Sequence, residues 1–357
     1  GQVIPTDPGR ILDYTLPEPY PVVAVILTWN APLASIGMTV GPPLAAGCCV
    51  VLKPSELAPF SAVQFGRLCL EAGLPPGVVS VLPGTGETGS AIVSHPGIEK
   101  VSFTGGAATA RRIAAACGEA LKPCLFELGG KSANIVFADA DLDRAISTAA
   151  RVIGLSGQGC THPTRMLVQS AVYEEMIARV AGLYDSIPVD DPLRPTTMMG
   201  PVISGPACER ILAMVDRAKE AGATVRAGGT RLEGEHAGGF FLRPTVLADV
   251  APGSEVGQVE VFGPVLAVTP FDDEDEAVAL ANGTPYGLAA YVHTRDVSRA
   301  HRLAQRLDAG SVGVNGGGVP AGPGAPFGGR RQSGYGVEGG LAGVREFLRY
   351  KNVELRL

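Results

Sequence analysis

The chain between residues 22 and 153 alternates between short runs rich in valine and isoleucine and longer stretches with helical periodicity. Short, continuous apolar runs are typical of strands buried on both faces, as in parallel sheets covered by helices. The alternation therefore predicts an α/β fold with a doubly wound, parallel sheet. The predicted strands are Val22–Leu27, Cys48–Leu52, Val78–Leu82, Lys100–Phe103 and Ala133–Phe137, and the predicted helices cover about 33–46, 57–72, 87–95, 107–121 and 141–153.

Length and composition narrow the class of protein. The 357 residues exceed what one ordinary core holds, so we expect two domains. A net charge of -6 with both signs interspersed argues against a nucleic-acid partner, and the sequence has no apolar run of the roughly 18 residues that a membrane helix needs. The seven cysteines are odd in number and show no metal-ligand spacing, which predicts reduced thiols, a cytoplasmic location and no metal site.

Polar or glycine-rich loops follow four of the predicted strands. Right-handed crossovers place the carboxyl ends of parallel strands at one edge of the sheet, where ligands bind. An Asn amide there can donate to an oxyanion, a Lys–Glu pair can hold ribose hydroxyls, and glycine-rich turns that open helices can bind a pyrophosphate. Any one loop could also be an ordinary turn or helix cap, but four at one edge favour a site. The loops are Thr28–Pro32, Lys53–Glu56, Pro83–Gly89 and Thr104–Gly106.

Cys160 follows the small, flexible segment 154–159. Glycines allow the backbone to approach a bound carbonyl group and leave an amide N–H to face a developing oxyanion. A thiol in this position could act as a nucleophile, with the Glu127 carboxylate as its separate general base, which implies a covalent acyl-enzyme. The alternative is an inert cysteine in the core.

Seven motifs in series resemble those of the aldehyde dehydrogenase superfamily, in its NAD(P)-dependent, hydrolytic branch. They have the order and approximate spacing of that family, and the resemblance runs from Gly1 to Leu357. It implies oxidation of an aldehyde to a carboxylic acid through a cysteine thiohemiacetal and thioester, with hydride transfer to NAD(P). The motifs are Trp29-Asn30, Lys53-Pro54-Ser55-Glu56, Phe103-Thr104-Gly105, Glu127-Leu128-Gly129-Gly130-Lys131, Gly157-Gln158-Gly159-Cys160, Val261-Phe262-Gly263-Pro264-Val265 and Pro326-Phe327-Gly328-Gly329.

The resemblance also implies roles for single residues. Cys160 corresponds to the nucleophile, Asn30 with the Cys160 N–H to the oxyanion hole, and Glu127 to the base that activates the deacylating water. Glu338 corresponds to a second carboxylate behind Glu127, or it is a solvated residue at the start of a helix. The residues expected to bind the cofactor are Thr28, Trp29, Lys53, Ser55, Glu56, Gly86, Phe103, Thr104, Gly105, Gly106, Leu128, Glu260 and Phe262.

Glu56 predicts which cofactor is preferred. Its carboxylate can accept a hydrogen bond from a free ribose 2'-hydroxyl, whereas a 2'-phosphate would meet a like charge. We therefore expect NAD to be preferred to NADP, with Lys53 weakening the preference.

The sequence departs from the family pattern at several points. Gly106 replaces a serine, Leu155 replaces an asparagine, and His162 with Pro163 replaces small residues after the nucleophile. His162 is either a polar group that faces the substrate or a loop histidine with satisfied hydrogen bonds. The N-terminal segment usual in the family has no counterpart before Gly1, so the chain is either naturally short or part of a longer protein.

These comparisons of motifs predict the domain organisation. We expect an oligomerisation strand segment at 1–18, an NAD(P)-binding domain at 19–128, a catalytic domain at 129–341 and a C-terminal oligomerisation strand at 342–357, in a homodimer or homotetramer. The glycine-rich segment 316–324 borders the substrate mouth or is simply a loop.

Two other classes of function stay open: a non-redox thioester or ester hydrolase or acyl transferase, and a non-catalytic scaffold homologue.

Overall fold

The computed structural model describes residues 1–6, 9–319 and 322–356. The chain divides into two compact units, which are described separately. The first contains Gly1–Glu127, Pro323–Gly328 and Gly334–Leu357, and the second contains Leu128–Gly322 and Gly329–Ser333. Residues 323–328 and 334–341, which the sequence placed in the catalytic domain, thus group with the first unit. Within the described ranges no helix is long and apolar enough to cross a membrane.

The first unit contains a larger and a smaller sheet, with its elements numbered along the whole chain. Its strands are β1 (Val3–Ile4), β2 (Ile11–Pro19), β3 (Val22–Ile26), β4 (Cys49–Lys53), β5 (Val79–Val81), β6 (Lys100–Thr104), β7 (Cys124–Glu127), β17 (Gly334–Tyr335) and β18 (Leu348–Arg356), and its helices are α1 (Pro32–Ala46), α2 (Phe60–Glu71), α3 (Gly86–Ser94), α4 (Ala107–Glu119) and α11 (Gly340–Arg345).

The larger sheet has the strand order β17-β7-β6-β3-β4-β5. Its strands from β3 to β7 pair in parallel, and only the short β17 runs antiparallel, against β7. Val23, Val25 and Leu52 are completely buried, as expected for strands covered on both faces. The predicted α/β fold with a parallel sheet is therefore confirmed, but the fifth predicted strand, Ala133–Phe137, belongs to the sheet of the second unit.

The predicted helices of this unit differ mainly at their ends. The second helix begins at Phe60 rather than at 57, with Pro59 as its N-cap. Helix α1 tolerates two internal prolines, Pro42 and Pro43, and ends where Gly47 adopts a left-handed φ of 98°. A glycine supplies this conformation without a side-chain clash, so the chain can turn directly into β4.

The smaller sheet has the order β1-β2-β18. Strand β18 pairs antiparallel with β2 over nine residues, from Leu348 opposite Pro19 to Arg356 opposite Ile11. Strands from the two predicted oligomerisation segments thus pair with each other within this chain. Asp7, Pro8 and Leu357, which fell within the predicted segments, lie outside the described residues, as do Pro320 and Ala321 of the predicted 316–324 loop.

The second unit is built on one seven-stranded sheet and a separate pair of short strands. Its elements are β8 (Ala133–Val136), β9 (Arg165–Gln169), β10 (Thr224–Ala227), β11 (Thr245–Ala248), β12 (Val265–Phe271), β13 (Tyr286–Gly287), β14 (Ala289–His293), β15 (Ser311–Val314), β16 (Arg330–Arg331), α5 (Leu142–Ala149), α6 (Tyr173–Asp185), α7 (Gly205–Glu220), α8 (Glu255–Gln258), α9 (Glu274–Asn282) and α10 (Val297–Arg306). The large sheet has the order β10-β11-β12-β9-β8-β14-β15, and β13 pairs with β16. All neighbours in the large sheet are parallel except β10 and β11.

The helix predicted over 141–153 is shorter than expected. Asp141 caps it by accepting a hydrogen bond from the Arg144 N–H, but α5 ends at Ala149. The 3-10 segment that follows, Ala150–Gly157, is interrupted by non-helical backbone angles at Gly154, Leu155 and Ser156. This change of helix type brings the chain to Cys160.

Candidate active site and cofactor cavity

A cavity of about 540 Å³ lies in the first unit, where β3, β4 and β6 end. The loops that follow these strands converge there, as the parallel topology requires. Nine of the predicted cofactor-binding residues line it: Thr28, Trp29, Lys53, Ser55, Glu56, Gly86, Phe103, Thr104 and Gly105. Asn30, the predicted oxyanion donor, is half-buried and follows Trp29 in the same loop.

Lys53 and Glu56 form a partly exposed pair in this cavity. The Lys53 side chain is almost completely buried, its Nζ donates to the Pro54 carbonyl at 2.8 Å, and burial lowers its pKa. The Glu56 carboxylate lies 3.9 Å from Nζ, with more than half of its side chain exposed. A buried amine beside an open carboxylate offers one donor and one acceptor to a diol such as ribose.

Two helix N-termini adjoin the cavity and fit a phosphate. Helix α3 begins at Gly86, and the Thr85 side chain caps it by accepting a hydrogen bond from the Glu87 N–H. A Cβ at Gly105 would lie 2.5 Å from the Phe103 ring, so only glycine leaves this strand end open. Gly106 is the N-cap of α4 and supplies no side-chain cap, so the N–H groups that precede Thr109 in the first turn of α4 can face an anion.

One wall of the cavity was missed by the sequence analysis. Helix α4 contributes Thr109, Arg112, Ile113 and Ala116, and Gly89 and Ser90 come from α3. Positions 109, 112, 113 and 116 lie on one helical face, and this spacing directly after Gly105 was the signal that could have found them. Arg112 adds an exposed cation to the cavity.

Glu127 and Glu338 are both buried in the first unit, with 3% and 5% of their surface exposed. Glu127 ends β7, and a Cβ at Gly328 would lie 3.5 Å from its Oε1. Glu338 pairs with Phe327, next to Gly328, through two backbone hydrogen bonds. Burial raises the pKa of Glu338 to about 7. The alternative of a solvated Glu338 is therefore wrong, and a proton-exchanging carboxyl near Glu127 fits its position.

The segment before Cys160, in the second unit, is strained. Leu155, Ser156 and Gly157 have consecutive left-handed φ angles of 51°, 53° and 75°. Leucine rarely adopts this conformation, and such strain persists only where the surroundings enforce it. A Cβ at Gly157 would overlap the Gly263 backbone at 2.0 Å, so the two glycine motifs pack directly against each other.

Hydrogen bonds hold this strained segment in place. The Gln158 amide donates to the Leu155 carbonyl at 3.0 Å and accepts from the Ile203 N–H at 2.9 Å. The Ser156 hydroxyl donates to the Gly200 carbonyl at 2.8 Å. Cys160 itself is half-buried, which keeps its thiol within reach of a small molecule. The geometry is that of a rigid turn that presents a single accessible thiol.

Glu260 lies against the glycines of the Glu127–Lys131 motif, in the part of the motif that belongs to the second unit. Its Oε1 accepts a hydrogen bond from the Gly130 N–H at 3.0 Å, and a Cβ at Gly129 would reach its Oε2 at 2.0 Å. A Cβ at Gly130 would lie 2.6 Å from the Cys160 carbonyl oxygen. Burial raises the pKa of Glu260 to about 7.

The remaining predicted cofactor residues are in the second unit. Phe262, with a left-handed φ of 50°, follows Glu260 in the loop before β12. Leu128 is buried and donates its N–H to the Ser333 carbonyl at 3.0 Å. Within the part of the chain that the structure describes, no group of three or more His, Cys, Asp or Glu side chains could hold a metal ion.

His162 packs over the residue before the nucleophile. A Cβ at Gly159 would lie 2.5 Å from the His162 Nε2 atom. Burial lowers the pKa of His162 to about 4, so the imidazole is neutral at physiological pH. Its Nδ1 is buried without a hydrogen-bond partner among the described residues. A backbone hydrogen bond with Gly157 opposes the effect of burial on this pKa, so the imidazole is partly, not fully, hydrogen-bonded.

Comparisons with known proteins identify the family of this chain. The aldehyde dehydrogenase family model matches residues 1–353. The chain is 43% identical over 362 aligned positions to 3,6-anhydro-alpha-L-galactose dehydrogenase of Streptomyces coelicolor, covering 100% of this chain and 73% of that protein. It is 40% identical over 346 to the chloroplastic betaine aldehyde dehydrogenase of Beta vulgaris, covering 96% of this chain and 69% of that protein.

Comparison with solved structures also finds aldehyde dehydrogenases. An NAD+ complex of aldehyde dehydrogenase from Bacillus cereus superimposes with a TM-score of 0.96 at 39% identity, covering 100% of this chain and 72% of that chain. An NADP-dependent enzyme from E. coli also has a TM-score of 0.96, at 37% identity, over 100% of this chain and 74% of that chain. The chain belongs to the aldehyde dehydrogenase family. It is an NAD(P)-dependent enzyme that oxidises aldehydes, which confirms the family, fold and activity expected from the sequence.

Proposed function

We propose that the enzyme oxidises its aldehyde through a covalent bond to Cys160, with Glu127 as the base for deacylation. The observation that supports this most directly is the strained turn before Cys160, whose three left-handed residues are held by Gln158 and Ser156. Strain of this kind is concentrated at functional sites. The non-redox hydrolase and scaffold alternatives have no observation in their favour.

In the proposed reaction the Cys160 thiolate attacks the aldehyde carbonyl, and the Asn30 amide with the Cys160 N–H stabilises the oxyanion. The cofactor, when bound, supplies the acceptor for the hydride that leaves the substrate carbon. Glu127 then takes a proton from the water that hydrolyses the thioester. Glu338 is suited to pass that proton on, because its raised pKa of about 7 lets it gain and lose a proton near neutral pH.

We further propose that the cofactor's adenosine and pyrophosphate bind in the cavity of the first unit. Lys53 and Glu56 would hold the ribose hydroxyls, and the N-termini of α3 and α4 would receive the phosphates. Glu260, Phe262 and Leu128 would contact the nicotinamide riboside.

The covalent step can be tested by trapping. Acid quenching of the enzyme during turnover of an aldehyde with NAD should leave an acyl group on a single cysteine. Intact mass and peptide mapping would locate it, and we expect the peptide that contains Cys160. An acyl group on any other cysteine would remove Cys160 from the mechanism.

Preference for NAD over NADP is proposed from Glu56. Because the carboxylate is half-exposed, we expect a discrimination of roughly tenfold or more in kcat/KM, below the full Coulomb estimate for a close pair. Glu56→Gln should raise activity with NADP and so lower the ratio of kcat/KM with NAD to kcat/KM with NADP. The control is Glu71→Gln, at the exposed end of α2, which should leave this ratio unchanged. Steady-state kinetics with both cofactors measure this, and a wild-type preference for NADP would contradict it.

We also propose an oligomeric state and a cellular location for the enzyme. Strand β18 is at the edge of the smaller sheet and exposes Tyr350 and Leu355, so it can pair with a second subunit in a homodimer or homotetramer. All seven cysteines are free, which suits the proposed reducing cytoplasm.

The names of the relatives indicate substrates of two different chemical classes. They include a betaine aldehyde, which carries a quaternary ammonium group, and 3,6-anhydro-alpha-L-galactose, which carries no charge. We propose an aldehyde substrate of one of these two kinds, and the surroundings of Cys160 bear on the choice.

A further inference from the structure

Arg151 links the segment that leads to Cys160 with the turn that follows β15. It lies in the 3-10 segment Ala150–Gly157. Its Nη1 donates to the Gly317 carbonyl at 3.1 Å and its Nη2 donates to the Gly316 carbonyl at 2.9 Å. The planar guanidinium thus holds two successive carbonyls, a geometry that the single ammonium of a lysine cannot reproduce.

The turn that Arg151 holds depends on contacts made by side chains such as that of Arg151. Asn315 and Gly316 have left-handed φ angles of 50° and 90°, and residues 316–318 are all glycine. The Asn315 side chain fixes the start of the turn through hydrogen bonds of 3.0 and 3.1 Å with the Thr294 backbone. The Gly317 N–H also donates to the Val314 carbonyl at 3.1 Å. Glycine residues have no side chains to restrict the backbone further, so Arg151 supplies the side-chain contacts beyond Asn315.

Arg151 is also connected to the nucleophile through Tyr291. Its guanidinium carbon lies 5.4 Å from the centre of the Tyr291 ring, and the Tyr291 hydroxyl donates to the carbonyl of Thr161, the residue after Cys160, at 3.0 Å. Burial raises the pKa of Tyr291, the Arg151 charge opposes this rise, and a Cys160 thiolate adds to it. The cation and the nucleophile therefore act electrostatically on the same phenol.

The charge of Arg151 is not neutralised by nearby groups. Among the described residues its guanidinium contacts two backbone carbonyls and the Tyr291 phenol, and no carboxylate lies within ion-pair distance. Burial lowers the pKa of both His162 and His293 to about 4, with a smaller contribution from Arg151, so neither imidazole carries a compensating or additional charge at neutral pH. An unpaired, partly buried cation repels a second cation more strongly than a solvated one does.

We propose that Arg151 is a positioning and specificity residue, which holds the Gly316–Gly317 turn against the nucleophile segment and makes the enzyme prefer neutral or anionic aldehydes to cationic ones. This inference rests on the proposed role of Cys160. A quaternary ammonium aldehyde that bound to Cys160 would bring its charge into the field of Arg151, whereas a neutral aldehyde of the same shape would not.

A matched pair of substrates tests the charge preference. Betaine aldehyde and 3,3-dimethylbutanal have nearly the same shape and differ in one positive charge. For the wild-type enzyme with NAD we expect kcat/KM to favour the neutral aldehyde by about tenfold or more, the size of a Coulomb repulsion across a partly buried site. A wild-type preference for betaine aldehyde would overturn the proposal without any substitution.

Substitutions of Arg151 separate its specificity role from its positioning role. Arg151→Gln removes the charge and should shrink the neutral-to-cationic ratio by about tenfold. Arg151→Lys keeps the charge but loses the two-armed contact, so it should keep the ratio while kcat/KM for both aldehydes falls about tenfold. Arg243→Gln, which changes an exposed cation of the same unit, is the control and should alter neither quantity.

The results for the Arg151 variants can be distinguished from those of the trapping experiment, which tests the reaction itself. General damage to the fold lowers both rates together and leaves the ratio unchanged, so an unchanged ratio in Arg151→Gln would overturn the specificity role. Full activity of Arg151→Lys with both aldehydes would overturn the positioning role. Failure of Cys160 as the nucleophile would show instead in the trapping experiment, where the acyl group would be found elsewhere.

Discussion

Replacement of Cys160 by serine is expected to lower kcat for aldehyde oxidation to below about one per cent of the wild-type value. A serine hydroxyl is scarcely ionised at neutral pH, whereas a thiol is both more acidic and more nucleophilic. Cys160 is half-buried, and the turn before it is held by the Gln158 amide. Steady-state formation of the reduced cofactor measures the loss.

The control for this variant is Cys49→Ser, which changes a half-buried thiol on β4 by the same single atom and should keep nearly full activity. Binding of NAD by both variants, followed by protein fluorescence, would show that the cofactor cavity is intact. Residual turnover of more than a few per cent in Cys160→Ser, with NAD binding preserved, would show that the reaction does not pass through this thiol.

Glu127→Gln should separate the two halves of the reaction. The amide keeps the size of the side chain but cannot accept a proton, so acylation and the first hydride transfer should proceed while hydrolysis stalls. We expect a rapid burst of about one equivalent of reduced cofactor per active site, followed by a steady-state rate lowered roughly 100-fold. Stopped-flow absorbance of the reduced cofactor records both phases.

Glu119→Gln, at the exposed end of α4 in the same unit, is the matched control and should show no separate burst beyond that of the wild type. A Glu127→Gln enzyme with an unaltered steady-state rate would exclude Glu127 as the deacylation base. Loss of the burst as well as of turnover would place Glu127 in acylation instead.

The strands of the first sheet were largely predictable because each is buried on both faces and so appears as an unbroken apolar run. Strand β7 was not predicted as a strand, although its Glu127 was singled out. It begins at Cys124 directly after a proline and has only four residues, and its place is set by pairing with β6 and β17 rather than by a local pattern. Pairing between segments distant in sequence leaves little local signal.

The site was predictable to the extent that its residues follow strands. Thr28, Lys53 and Thr104 were found because parallel topology brings strand ends to one edge. Arg112 was missed because its spacing marks one face of a helix but does not by itself show that this face lines a cavity. Arg151 was missed because packing sets the side that its 3-10 segment presents. Leu155 was noticed as a departure from the family pattern, but its left-handed backbone follows from the packing of Gly157 on Gly263.

The contact between His162 and Gly159 couples the effects of substitutions at the two positions. The imidazole occupies the space that a side chain at position 159 would need, so even alanine there would require the His162 ring to move. A substitution at 159 is therefore relieved either by displacement of that ring or by a smaller residue at 162. We expect the free-energy effects of substitutions at the two positions to be non-additive.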